Sequence, residues 1–176
     1  MDILRRLQYF DVQLFGWLFR SFQGPTVSSL AKAVSRSGDG FLHLAIPFLL
    51  YCLGVENVMQ FCVVLALSGL CERIVYVILK NTLQRRRPQD YEPDFHSLIT
   101  PSDQFSFPSG HSSGAFLLAT LLSVTYGGPV FALFLWAGAV AVSRILLGVH
   151  YPGDTLAGAI MGSTIALVVI SLTGAQ

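Results

Sequence analysis

At 176 residues the chain is long enough for one domain. Hydrophobic residues make up 53% of it and charged residues only 12%, against roughly 25% charged in a soluble domain. With a mean hydropathy of +0.61 and several long apolar runs, this excludes a water-soluble fold built on one buried core. The net charge of +1 says nothing about partners by itself; nearly all charge lies between the apolar runs, and no nucleic-acid partner is expected.

Residues 2–23 repeat apolar side chains at a helical period: Ile3, Leu4, Leu7, Phe10, Leu14, Phe15, Leu18 and Phe22. Asp2, Arg5, Arg6, Gln13 and Arg20 share the opposite side, which suits a helix lying in the membrane interface. No short apolar core with a cleavage site precedes it, so no removable signal is expected. Gly24-Pro25 ends this helix, residues 26–36 read as a short linking helix with Lys32 and Arg36, and Ser37-Gly38-Asp39-Gly40 reads as a turn.

Five apolar runs follow. Phe41–Leu53 is short for a span and carries Pro47, whereas Asn57–Leu79 is long enough to cross a hydrocarbon core of ~30 Å. A polar loop occupies 81–108. Then come Ser112–Tyr126, Pro129–Leu147 and Thr155–Leu172, with tight turns at 54–56 and 126–129. The expected fold is an all-α, polytopic membrane helical bundle of five spans plus an N-terminal interfacial helix, with six spans as the alternative. Residues 1–176 form a single membrane-embedded domain. Gly158, Gly162 and Ala166 step down the last span and should let another backbone approach closely. Cys52, Cys62 and Cys71 fall inside apolar runs and read as small buried hydrophobes.

Because neighbouring spans alternate in direction, three polar islands emerge on one face. In the first, Lys80 closes a span and Arg85, Arg86 and Arg87 open the loop. In the second, Pro108-Ser109-Gly110-His111 places an N-cap serine and a glycine before a helix start. The free N–H groups there make an anion seat, with His111 beside it. In the third, Arg144 lies in the last turn of an apolar helix, where a charge is expensive and faces a polar cavity. Beyond it, His150 and Asp154 flank Pro152, which fits the first position of a helix. An aspartate holding one ring nitrogen would free the other to attack phosphorus. His111 is available as general acid, and the fixed cations would neutralise a phosphoryl group.

The spacing of Lys80 and Arg87-Pro88, of Pro108-Ser109-Gly110-His111, and of Ser143-Arg144 with His150 and Asp154 resembles the three signature motifs of the type 2 phosphatidic acid phosphatase superfamily. The resemblance implies an integral-membrane lipid phosphate phosphatase. His150 would be the nucleophile forming a phosphohistidine, Asp154 its orienting partner and His111 the general acid. Lys80, Arg87, Ser109, Gly110 and Arg144 would hold the phosphate. It implies no metal and no cofactor. The substrate would be a lipid phosphate within the bilayer, with undecaprenyl diphosphate the first choice, Arg85 and Arg86 meeting its second phosphate. Phosphatidylglycerol phosphate and phosphatidic acid follow. A phosphotransferase using the same phosphohistidine, or a non-catalytic lipid-binding membrane protein, are the alternatives. The same resemblance implies a bacterial inner-membrane location with the site on the extracytoplasmic face.

Other polar residues read as supporting parts. Glu72-Arg73 is expected as a buried pair bracing the site, on a face shared with Tyr76 and Lys80. Asp90, Glu92, Asp94 and Asp103 read as solvated loop acids, or as acids that attract an amine head group. His43 and His96 read as interfacial or loop residues.

Overall fold

The computed structural model describes residues 3–91, 95–127 and 130–174. Among them are seven α-helices: α1 (Ile3–Ser21), α2 (Pro25–Ser37), α3 (Phe41–Cys52), α4 (Val58–Leu83), α5 (Gly110–Tyr126), α6 (Val130–Leu146) and α7 (Pro152–Thr173). A one-turn 3₁₀ helix, Pro88–Asp90, interrupts the long loop. Asp2, the side chains of Ile3, Leu4 and Arg5, the acids Glu92 and Asp94, and Gly128-Pro129 of the expected tight turn lie outside the described residues.

Helix α5 occupies the centre. Ala115, Leu117, Leu118, Ala119 and Leu121 are all buried on successive faces, so the helix is enclosed all round by α4, α6 and α7. The tightest seam is with α7. A Cβ built on Gly162 would collide with the Ser113 carbonyl, and one on Gly158 with the Ser109 carbonyl. The small-residue stripe expected on the last span is this seam, and Thr120 donates across it to Ser163 Oγ at 3.2 Å.

The outer helices present apolar surface outward. Leu44, Phe48, Met59, Leu70, Ile78 and Phe131 are exposed. Helices α4 and α7 are long and apolar enough to cross a membrane, with mean hydropathies of 2.1 and 2.0 over their most apolar windows. Only 22% and 33% of those windows are buried, the reverse of a soluble core helix. The cysteines follow the same logic: Cys52 and Cys71 are exposed and Cys62 half-buried, so they sit on outward faces rather than in the core.

The short apolar run Phe41–Leu53 gains its missing length from α2. Ala31 packs with Leu147, Ser35 meets Arg144, and Gly38 meets Val140, so α2 descends along α6 from the loop end. His43 then bonds Gly114, and Leu42, Ile46 and Leu50 pack against the Phe61–Leu121 cluster, so α3 continues the same descent. The two helices are pieces of one descent, broken at Gly38-Asp39-Gly40.

Among the described residues, helix α1 docks at the loop end. Phe15 packs edge-on against Phe95 and Tyr151, with Val12, Leu18 and Phe19 around it. The opposite residues Leu7, Phe10, Leu14 and Trp17 are exposed. The apolar stripe read from the sequence is therefore mostly an outward face.

Candidate active site

The loop ends of α4, α5, α6 and α7 converge, and each is shaped locally to do so. Helix α4 runs one turn past Lys80 and stops at Gln84 in a left-handed conformation (φ 44). Ser109 caps α5, accepting from the Ser112 amide, and its own N–H donates to the Asp154 carbonyl at 3.0 Å. Pro152 opens α7, whose N3 residue Asp154 reaches back to the Tyr151 amide at 2.8 Å. Gly148, with φ 78, turns the chain between α6 and His150, and a side chain there would run into Phe95.

These ends enclose a cavity of about 630 Å³. His111 and His150 both line it, with Arg87, Arg144 and Gly110. Lys80, Ser109 and Asp154 do not line it and stand one layer behind. Lys80 donates to the Tyr76 hydroxyl at 2.7 Å and to Asp103 Oδ1 at 2.9 Å. Gly110 is needed because a Cβ would press on the Tyr76 ring, 3.0 Å away.

Arg87 is 2% exposed and donates to the Val149 carbonyl, the Asp103 carbonyl and Asp103 Oδ1. Arg144 is 5% exposed. Its Nη1 donates to Ser35 Oγ at 2.7 Å, while its Nε has no partner among the described residues. A buried guanidinium with a free donor suits an anionic guest.

His150 lies in the turn between α6 and α7, 2% exposed. Burial pushes its imidazole down; the Asp154 carboxylate pulls part of the way back, and Arg87 and Arg144 push down again, to about 4. Its ring is therefore neutral near pH 7, as a nucleophile requires. Asp154 stands four residues on as expected, yet Nδ1 of His150 is 3.7 Å from Asp154 Oδ2, too long for a hydrogen bond.

Several acids stand elsewhere than the sequence suggested. Asp103 is an ion-pair hub: its Oδ1 accepts from Lys80 and Arg87, and its Oδ2 accepts from Tyr76 at 2.6 Å. Burial would raise its carboxyl, but these donors outweigh that and hold it down at about 2. Arg85 is bound between Asp154 Oδ1 and Asp11 Oδ2, at 2.7 Å each, so it does not face the cavity as a second phosphate ligand. Arg86 is exposed and outside the cavity as well. Glu72 and Arg73 both line the cavity but make no ion pair among the described residues, and Arg73 is exposed; they are not a buried brace. His43 is half-buried against the Gly114 carbonyl at 3.1 Å and also lines the cavity, whereas His96 is an exposed loop residue as expected. Asp90 is exposed and caps the Arg87 amide at 3.3 Å.

Two residues escaped the sequence reading. Asp11 on α1 holds Arg85 and accepts the Gly153 amide at 2.7 Å. Asp39, read only as part of a turn, stands 2.7 Å from His111 Nε2. Its one available sign was a charged residue between two glycines ahead of an apolar run.

Residues 57–176 match the family described as the PAP2 superfamily. The chain belongs to the PAP2 superfamily. A decaprenylphosphoryl-5-phosphoribose phosphatase of Mycobacterium tuberculosis is 30% identical over 152 residues, covering 86% of this chain and 84% of that protein. The crystal structure of Aquifex aeolicus LpxE superposes with a TM-score of 0.79 at 26% identity, covering 90% of this chain and 93% of LpxE. A transmembrane PAP2-type phosphatidylglycerolphosphate phosphatase from Bacillus subtilis shares the fold, with a TM-score of 0.75 at 22% identity over 96% and 87% of the two chains. With its exposed apolar helices, this PAP2 member is a membrane protein.

Proposed function

We propose that the chain is an integral-membrane lipid phosphate phosphatase working through a phosphohistidine. The observation that carries this reading is that His111 and His150 face one cavity together with Arg87 and Arg144. His150 attacks phosphorus, forming an N–P bond as the P–O bond to the lipid breaks. His111 protonates the departing oxygen and then takes a proton from the water that cleaves the N–P bond. Arg87, Arg144 and the α5 N-terminus hold the phosphoryl oxygens, with Lys80 acting through Asp103 and Tyr76. Asp154 orients His150 through Nδ1 once the 3.7 Å gap between them closes. No metal takes part in this scheme.

The substrate we favour is a polyprenyl lipid bearing a terminal phosphate or diphosphate. The curated relative named as a decaprenylphosphoryl-5-phosphoribose phosphatase supports a polyprenyl carrier. Since Arg85 is engaged elsewhere, its support for undecaprenyl diphosphate falls away, and a phosphomonoester on a polyprenyl lipid stands level with it. The broken α2–α3 descent and α4 to α7 give five crossings, with α1 in the interface on the site's side. The site faces the extracytoplasmic side.

The test is phosphate release in detergent with excess chelator from polyprenyl monophosphate and diphosphate, a polyprenylphosphoryl sugar phosphate, phosphatidylglycerol phosphate and phosphatidic acid. Turnover fastest on a polyprenyl member supports the proposal. Turnover confined to glycerolipids removes the substrate assignment, and no release from any of them removes the enzyme.

A further inference from the structure

The acid–base histidine has its own carboxylate. Asp39 Oδ1 lies 2.7 Å from His111 Nε2, and because a carboxylate only accepts, that nitrogen carries the proton. His111 Nδ1 makes no hydrogen bond among the described residues, and His111 lines the cavity. This mirrors the chemistry of His150 and Asp154 on a separate part of the fold, at a sequence separation of 72 residues.

The placement is built rather than incidental. Asp39 sits in the break between α2 and α3, beside the first turn of α5. An interruption of that kind is tolerated at membrane depth where it lines a polar cavity, and Gly38, Asp39 and Gly40 all line this one. Gly38 is required because a Cβ would strike Val140, and Gly40 because its φ is 91. The break thus serves to bring one carboxylate to one imidazole. The cavity that His111 lines also carries Asp39 from the break, Arg144 from α6, Arg87 and Asp103 from the loop, and Glu72 and Arg73 from α4. Burial and then the Arg144 guanidinium oppose an imidazolium there, and the Asp39 carboxylate in direct contact is the nearest group that favours one. Asp39 is half exposed and also borders a second cavity of about 270 Å³, shared with His111, Arg144, Lys32 and Arg36, from which water can resupply the proton.

We infer that Asp39 is a positioning residue for proton transfer: it fixes His111 with Nε2 protonated and Nδ1 toward the leaving oxygen, and it stabilises the imidazolium before the P–O bond breaks. The inference rests on the phosphatase reading. As His150 forms its bond to phosphorus, the Nδ1 proton passes to the departing alkoxide, leaving a neutral His111 still tied to Asp39 through Nε2–H. The attacking water then returns a proton to Nδ1 as the N–P bond breaks.

The discriminating measurement is first-turnover release of the leaving group by Asp39→Asn and Asp39→Glu, on an alkyl phosphomonoester lipid and on p-nitrophenyl phosphate. An alkoxide needs the proton and nitrophenolate does not. Asp39→Asn should slow alkyl release about 10²-fold and nitrophenolate release only a few-fold, with KM little changed and partial recovery in Asp39→Glu. Melting in detergent should match the unsubstituted chain. Equal losses on both substrates, or a loss confined to KM, would overturn the inference while leaving the phosphatase reading intact. An unsubstituted chain inert on both substrates would overturn the two together.

Discussion

Nδ1 of His150 and Oδ2 of Asp154 stand 3.7 Å apart, and that oxygen already accepts the Tyr151 amide at 2.8 Å. One carboxylate therefore serves as helix cap, as partner of Arg85 and as neighbour of His150. If His150 is the proposed nucleophile, His150→Ala should lower phosphate release by roughly 10³-fold or more and leave no acid-labile phosphoenzyme. Asp154→Asn should cost about 10²- to 10⁴-fold in kcat, since orientation of the ring is lost while the seat persists. Quenched labelling with ³²P-substrate separates the two, because the asparagine variant still accumulates some phosphohistidine.

Arg85 should matter for stability more than its loop position suggests. Asp154 is fully buried, and Arg85→Ala leaves its carboxylate without the cation that faces it. Removing one partner of such a pair costs about 3 kcal/mol. The drop in melting temperature in detergent should exceed that of Asp11→Asn, which removes only the outer carboxylate charge from Arg85.

The α5–α7 seam gives a packing prediction with an internal control. Gly162→Ala forces a methyl into the Ser113 carbonyl and should destabilise by about 1–3 kcal/mol. Gly138→Ala on α6 meets nothing within 4 Å and should be neutral or slightly stabilising. Paired thermal melts read the difference directly; similar melts would mean the seam is not tight.

The pH profile should carry the mark of a buried nucleophile. His150 titrates at about 4 when folded, below the usual 6.5 of an imidazole. The folded ring stays neutral where the unfolded one takes up a proton, so this residue's contribution to stability declines as pH falls from 6.5 towards 4. The acid limb of kcat/KM assigned to His150 should lie near pH 4 rather than 6.5. A limb at 6.5 that vanishes on substituting another group would show that His150 is not what sets it.

The helical elements and the convergence of motif residues on one face were legible because both leave local traces. Apolar periodicity marks α4 to α7, and capping chemistry marks the starts at Ser109 and Pro152. What stayed hidden depends on pairings between distant segments. Asp39 meets His111 across 72 positions, and Asp11 meets Gly153 across 142. No periodicity links them. Asp103 looked like one loop acid among several, and only the return of the loop over Lys80 and Arg87 makes it an ion-pair hub. Arg85 was misread for the opposite reason: adjacency to Arg86 and Arg87 suggested a shared task, but successive residues leaving a helix point in different directions. The Glu72-Arg73 pair failed similarly, since neighbours on a helix do not face each other.

The backbone contact that joins Ser109 to Asp154, backed by two glycines pressed on carbonyl oxygens, welds half of the reaction centre into a single immobile block. Head groups of different bulk cannot be admitted by spreading α5 from α7. Any adjustment to guest size must come from the opposite wall, where the α2–α3 break and the Gly69–Tyr76 stretch of α4 line the cavity. Exchanging residues of that wall between relatives should therefore transfer substrate choice, while grafts at the weld should only damage the protein.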